Sequence, residues 1–188
     1  MRILISAFLA LLAAPALADN GCHDLWYTRN AIVDRAGYCF GSALGQAVFD
    51  NAGCIGKSVD LSPSAKRQVD QIRAIEAEAG CKVNTAQTRL HIDDLAIRRR
   101  LIDLPIRDEF ASGCLGYGGA PIALRAGHSA GAPAIGQIEA GDYVLFAFYG
   151  VGDWVYVTAH SDGWGRLKAG GWMDWSAIPQ DACRDWAG

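Results

Sequence analysis

The chain has 188 residues, 51% of them hydrophobic, and a formal net charge of -3. That mild acidity argues against a nucleic-acid partner, which calls for a basic stripe. Its six cysteines form no C-x-x-C pair and no tight Cys/His cluster, so they offer no zinc-binding pattern.

The N-terminus carries Arg2, an apolar run from Ile3 to Ala14, a break at Pro15 and the small-residue pattern Ala16-Leu17-Ala18. This reads as a secretory signal peptide, residues 1–18, cut after Ala18. The run is too short for the roughly 20 residues of a spanning helix, so the protein is not read as membrane-spanning. Asp19-Asn20-Gly21, ahead of Cys22, does not fit a lipid anchor. The expected location is periplasmic or secreted, where an even number of cysteines reads as a disulfide framework.

From Asp24 to Ala36 the residues Leu25, Ile32, Val33 and Ala36 recur at helical spacing, and Gly37 stands where a left-handed cap is wanted. Ser42 caps a second, shorter helix carrying Leu44, Ala47 and Val48, which ends between Asp50 and Gly53. A third helix opens with Ser62 as cap and Pro63 at its first position. It buries Ala65, Val69, Ile72, Ile75 and Ala79 before Gly80 stops it. Placing these helices up, down and up sets Cys22 beside Cys54 and Cys39 beside Cys81, with Cys39–Cys54 as the competing pairing. Cys22–Cys39 would have to span a whole helix of about 18 Å, against the roughly 6 Å a disulfide allows between Cα atoms.

Asp93 or Asp94 caps a further helix through Leu95, Ile97 and Leu101, ended by Pro105. Its Arg98-Arg99-Arg100 reads as a solvated face, with an anionic wall polymer as the functional alternative. Between Ala111 and Cys114 glycines multiply and short alternating runs take over. Strands are expected at Tyr143–Tyr149, from Trp154, and near Ile122, Ile135, Gly165 and Gly171. So many short strands in about 70 residues suggest a small closed barrel. Cys114 and Cys183 bracket it and are paired. The fold class is α+β: a disulfide-stapled three-helix module with linker over residues 19–110, then a small all-β barrel over 111–188.

The run T-R-N-A-I-V-D-R-A-G-Y-C-F-G-S-A-L-G-Q-A-V-F-D, followed by L-S-P-S-A-K-R-Q-V-D-Q-I-R-A-I-E, resembles the YARHG domain, an extracellular bacterial module. The pentapeptide that names the family is here Val33-Asp34-Arg35-Ala36-Gly37, which keeps the arginine and the glycine. The tail, from A-P-I-A-L-R-A-G through G-D-W-V-Y-V-T to G-G-W-M-D-W-S-A-I, resembles a bacterial SH3-like domain. That resemblance implies binding of cell-wall peptides or glycans, a warrant from fold alone.

Catalytic chemistry finds little support in the residues. Cysteine catalysis would need a free thiol beside His23, His91, His128 or His160, and every cysteine already has a structural explanation. Asp93-Asp94 and Asp108-Glu109 could form a hydrolytic carboxylate pair but read better as caps and solvated charge. His23-Asp24 reads as a helix start rather than a metal site, and the glycines from Gly116 to Gly119 lack the strand-to-helix setting of a phosphate loop. No cofactor is implied.

Binding is the better reading. In the strand from Trp154, Val155 and Val157 take one face and Trp154, Tyr156 and Thr158 the other. With Trp164, Trp172, Trp175 and Tyr149 the barrel has more aromatics than its interior holds. Tyr149, Trp154, Tyr156, Trp164 and Trp172 are therefore the candidate ligand residues. The expected function is a non-catalytic extracytoplasmic module that binds a cell-wall component or a protein partner. The alternatives are an inhibitor of a lysozyme-like or proteolytic enzyme, and a wall hydrolase using a carboxylate pair.

Overall fold

The computed structural model describes residues 17–161 and 163–188. The apolar leader from Ile3 to Ala14 lies outside the described residues. Helix α1 spans Leu17–Arg35, α2 Ala43–Phe49, α3 Pro63–Glu78 and α4 Leu95–Arg98. Seven strands follow: β1 Arg107–Tyr117, β2 Ile122–Arg125, β3 Ala134–Ile138, β4 Tyr143–Phe148, β5 Trp154–Ser161, β6 Arg166–Asp174 and β7 Cys183–Ala187.

The local signals act as the residue chemistry dictates. Ser42 accepts a hydrogen bond from the Gly45 amide and Ser62 from the Ala65 amide, each filling an orphan donor of the first turn. Gly37 takes φ +89°, and a Cβ there would stand 2.8 Å from Ile55 Cγ1. No other residue fits that turn without displacing Ile55.

Helix α1 is the centre of the fold and is longer than its apolar periodicity suggests, starting before Asp24. It is buried on nearly every side, and several of its polar residues are hydrogen-bonded in place. Thr28 donates to the Pro105 carbonyl, Asn30 to the Trp26 carbonyl, and His23 Nδ1 accepts from the His91 amide. Helix α3 packs along one flank and buries Val69 and Ile72. Arg29 on α1 pairs with Glu76 on α3 at 2.8 Å.

That pair and the cysteines fix the direction of α3. Cys22 bonds Cys81, Cys39 bonds Cys54, and Cys114 bonds Cys183. The expected pairings Cys22–Cys54 and Cys39–Cys81 are thus wrong, the competing Cys39–Cys54 is present, and Cys114–Cys183 is as expected. The reason is the shortness of α2. Its 7 residues cannot carry the chain back along the 19 of α1. The segment from Cys39 to Cys54 therefore stays at one end of α1, and α3 returns antiparallel, bringing Cys81 to Cys22.

The strands form one antiparallel sheet in the order β3-β2-β6-β5-β4-β1-β7. It is open, with β3 and β7 as edges, and does not close into the expected barrel. A small barrel hides its faces by closure, whereas here the helices cover one face. Trp154, Tyr156, Trp172 and Phe148 join Leu25, Trp26, Tyr27, Leu44 and Ile72 in one core. On the other face Cys114, Tyr117, Leu124, Val144, Val157, Ala159 and Met173 make a second core. The β1 and β7 strands had no separate sequence signal, and the runs near Gly165 and Gly171 are one strand.

Helix α4 is a single turn, shorter than expected. The amides of Ile102 and Asp103 both donate to the Ala126 carbonyl, which draws the chain off the helix well before Pro105.

The disulfide assignment is tested by peptide mapping of the unreduced protein, which is expected to give Cys22–Cys81 and Cys39–Cys54 linked fragments. A Cys22–Cys54 fragment would contradict this fold. Replacing Cys22 and Cys81 together by alanine is expected to lower stability by about 4 kcal/mol in denaturant titration, as the loop length implies.

Candidate binding surface

The sequence-expected ligand residues do not share one groove. Tyr156 and Trp172, cross-strand neighbours in register, are 0% and 1% exposed and pack edge to face beneath α1. Trp154 is half-buried in the same core, and Tyr149 is exposed just beyond the end of β4. Trp164 is 46% exposed and lies over Gly113, where a Cβ would meet its ring at 2.7 Å. It contacts the Tyr143 and His160 rings, away from the other four. The alternation read along β5 is correct, but its aromatic face meets the helices rather than solvent.

What holds that face shut is Arg98. The middle of the three arginines, Arg99, is exposed, as is Arg100, while Arg98 is 1% exposed. Its Nε donates to Asp94 Oδ1 at 2.7 Å, and its Nη2 pairs with Asp24 Oδ1. Asp94 Oδ2 accepts from the Tyr156 hydroxyl at 2.8 Å, and the Phe148 ring lies 4.9 Å from the guanidinium carbon. Arg98 therefore belongs neither to a solvated face nor to a polymer-binding surface.

The electrostatics follow from burial and pairing. Burial works against the Arg98 charge, but Asp94 and Asp24 outweigh it and raise its pKa above the ordinary arginine value. Burial lifts the Asp24 carboxyl above the usual aspartate value, with Arg98 opposing. The Tyr156 hydroxyl is raised by burial and then by Asp94, so it stays a proton donor. Asp94 is thus engaged as a structural acceptor.

Besides the exposed Phe110, Tyr149 and Trp164, three further aromatic residues gather in a partly open cluster. Phe146 on β4, Trp175 in the 3-10 turn Trp175–Ala177 and Trp186 on β7 form one cluster. Ring centroids are 5.1 Å apart for Phe146–Trp175, 6.0 Å for Phe146–Trp186 and 6.4 Å for Trp175–Trp186. Trp175 is 49% and Trp186 39% exposed. Asp174 fixes the turn by accepting from the Ser176 amide and hydroxyl, which hold its pKa below the ordinary value. The Trp186 indole donates to the Gln180 carbonyl at 3.1 Å. Sequence reasoning missed Phe146, which alternates with the core residue Val144, and Trp186, which follows the last cysteine without a recognisable strand pattern.

Among the described residues no three His, Cys, Asp or Glu side chains converge as a metal-binding set. Among the same residues no helix is long and apolar enough to cross a membrane.

Residues 1–77 match the YARHG domain, as the resemblance implied, and residues 80–188 match a family described as Domain of unknown function (DUF4453). No family match supports the SH3-like resemblance of the tail. No curated protein and no solved structure matches the chain. Three disulfides and the YARHG match are consistent with an extracytoplasmic protein.

Arg98→Met is expected to destabilise the fold by about 3–5 kcal/mol, because it strands two buried carboxylates. Arg100→Ala, on the surface, should stay within about 0.5 kcal/mol. Urea titration of the two variants checks this, and equal midpoints would remove Arg98 from its structural role.

Proposed function

We propose that this chain, which belongs to the DUF4453 family, is a non-catalytic extracytoplasmic binding protein that seats a cell-wall oligosaccharide on Phe146, Trp175 and Trp186. The observation that carries the reading is the packing of Trp175 and Trp186, 49% and 39% exposed, against each other and against the half-buried Phe146. Exposed apolar clusters rimmed by polar residues mark interaction sites, and indole rings present an apolar face beside a polar edge. Such faces suit the C–H faces of sugar rings.

Addition of a peptide strand to the free edge of β7 is less favoured. The Trp186 amide donates to the side chain of its neighbour Asp185 at 2.9 Å, which blunts the edge against backbone pairing. A non-catalytic role is supported by the chemistry of the acids and thiols. All six cysteines are in disulfides, and of the acid pair Asp93-Asp94 the second is committed to Arg98 and Tyr156.

Titration calorimetry with a tetramer of N-acetylglucosamine, and pull-down on purified cell wall, test the proposal. The Trp175→Ala, Trp186→Ala double variant is expected to bind at least about tenfold more weakly, while Tyr149→Ala is unchanged. Equal retention of parent and double variant would sink the reading.

A further inference from the structure

A second feature shares no residue with the aromatic surface. Between the start of α1, the segment at 91–94 and the sheet is a cleft of about 230 Å³. Leu145 and Thr158, paired in register, and His160, paired with Leu167, belong to its sheet wall. Leu145, Phe148 and Leu167 with Ile92 give it apolar surface.

Its charges divide into a satisfied set and an unsatisfied one. Arg98, Asp24 and Asp94 compensate one another within the fold. Arg107 joins this set only through a long ion pair to Asp24. Its nearest carboxylate oxygen, Asp24 Oδ2, is 3.9 Å away, beyond hydrogen-bond length, and no hydrogen bond from its guanidinium is made among the described residues. Yet the side chain is only 27% exposed and rests on the Phe148 ring at 5.4 Å, so the guanidinium is oriented with its donors unfilled. Asp93 lines the same cleft, is exposed, and makes no hydrogen bond or ion pair among the described residues. Three buried atoms of residues lining the cleft also make no hydrogen bond: Arg98 Nη1, His160 Nδ1 and Asp24 Oδ1, the last held by its ion pair to Arg98.

A guanidinium without a hydrogen bond and a carboxylate without a partner, both among the described residues and with apolar wall beside them, select for a ligand carrying both charges. A plain anion would face Asp24, Asp93 and Asp94, and a plain cation would face Arg98 and Arg107. We propose that this cleft binds a free α-amino acid, its carboxylate on Arg107, its ammonium on Asp93 and its side chain against Leu145, Phe148 and Leu167. Guanidinium and carboxylate meet in the bidentate geometry that gives such contacts their strength. This site is independent of the aromatic surface, so either can fail without the other.

The test titrates the full chain with the twenty common amino acids by calorimetry. The best binder is then compared with its N-acetyl form, which lacks the ammonium, and its amide, which lacks the carboxylate. Each blocked form is expected to bind at least about tenfold more weakly than the free amino acid, and Arg107→Gln and Asp93→Asn are each expected to lose about the same. Asp93 is exposed, so its variant folds and keeps the test decisive. The proposal is overturned if no amino acid binds, if a blocked form binds as well as the free one, or if Asp93→Asn binds like the parent.

Discussion

The buried charge of Arg98 is the constraint around which the molecule closes. A guanidinium at 1% exposure cannot remain in the fold without counter-charges, and it takes them from two places, Asp24 on α1 and Asp94 at the start of α4, the second fixed by the Tyr156 hydroxyl on β5. Desolvating such a group is expensive, so the network is not an argument for high stability. What it supplies is position. Only one placement of α1 against the sheet brings Asp24 to Arg98 while Thr28 reaches the Pro105 carbonyl. The same placement sets Cys22, two residues before Asp24, at the end of α3, where Cys81 waits.

The boundary between the two matched families lies between residues 77 and 80, but the core does not stop there. Leu25, Trp26 and Ile72 from the first stretch share one cluster with Leu90, Leu101, Leu104, Ile106, Tyr156 and Trp172 from the second. The Cys22–Cys81 disulfide crosses the boundary, and so does Arg35, whose two terminal nitrogens donate to the Leu101 and Ile102 carbonyls. Arg35 and Gly37 are the two pentapeptide residues this chain keeps. Both have architectural tasks: one ties the helices to the segment before the sheet, the other turns the chain at the end of α1. Residues 80–106 join helices to strands, with Leu90, Leu101, Leu104 and Ile106 in the core they share.

Legibility in the sequence followed the range of the interaction. Ser42, Ser62-Pro63, Gly37 and Gly80 act within a few residues of themselves, and each is where the local chemistry puts it. The alternation from Trp154 to Thr158 is equally local and equally correct. Which of its faces meets water depends on α1, more than 120 residues earlier in the chain, and a period of two says nothing about that. Arg98 is hidden for the same reason: flanked by Ile97 and Arg99, it has the local look of a charged surface, and only Asp24 and Tyr156, distant in sequence, make it a core residue. The pairing of Cys22 and Cys39 turned on the length of α2, a small local error with a global consequence.

The aromatic residues sort by what their polar ends do. Trp172 donates its indole N–H to the Asp103 carbonyl and Tyr156 its hydroxyl to Asp94, so each is buried with its donor filled, the condition under which a large amphipathic ring belongs in a core. Trp175 has no acceptor for its indole among the described residues, and half of its surface is open. A ring in that state contributes little to the fold beyond its contact with Phe146 and Trp186. Its retention on the surface, beside a 3-10 turn held by Asp174 and Ser176, leaves both a stacking face and a hydrogen-bond donor free. Phe146 packs on the second core and Trp186 fills its donor on the Gln180 carbonyl, which leaves Trp175 as the member of the cluster whose polar end the fold does not use.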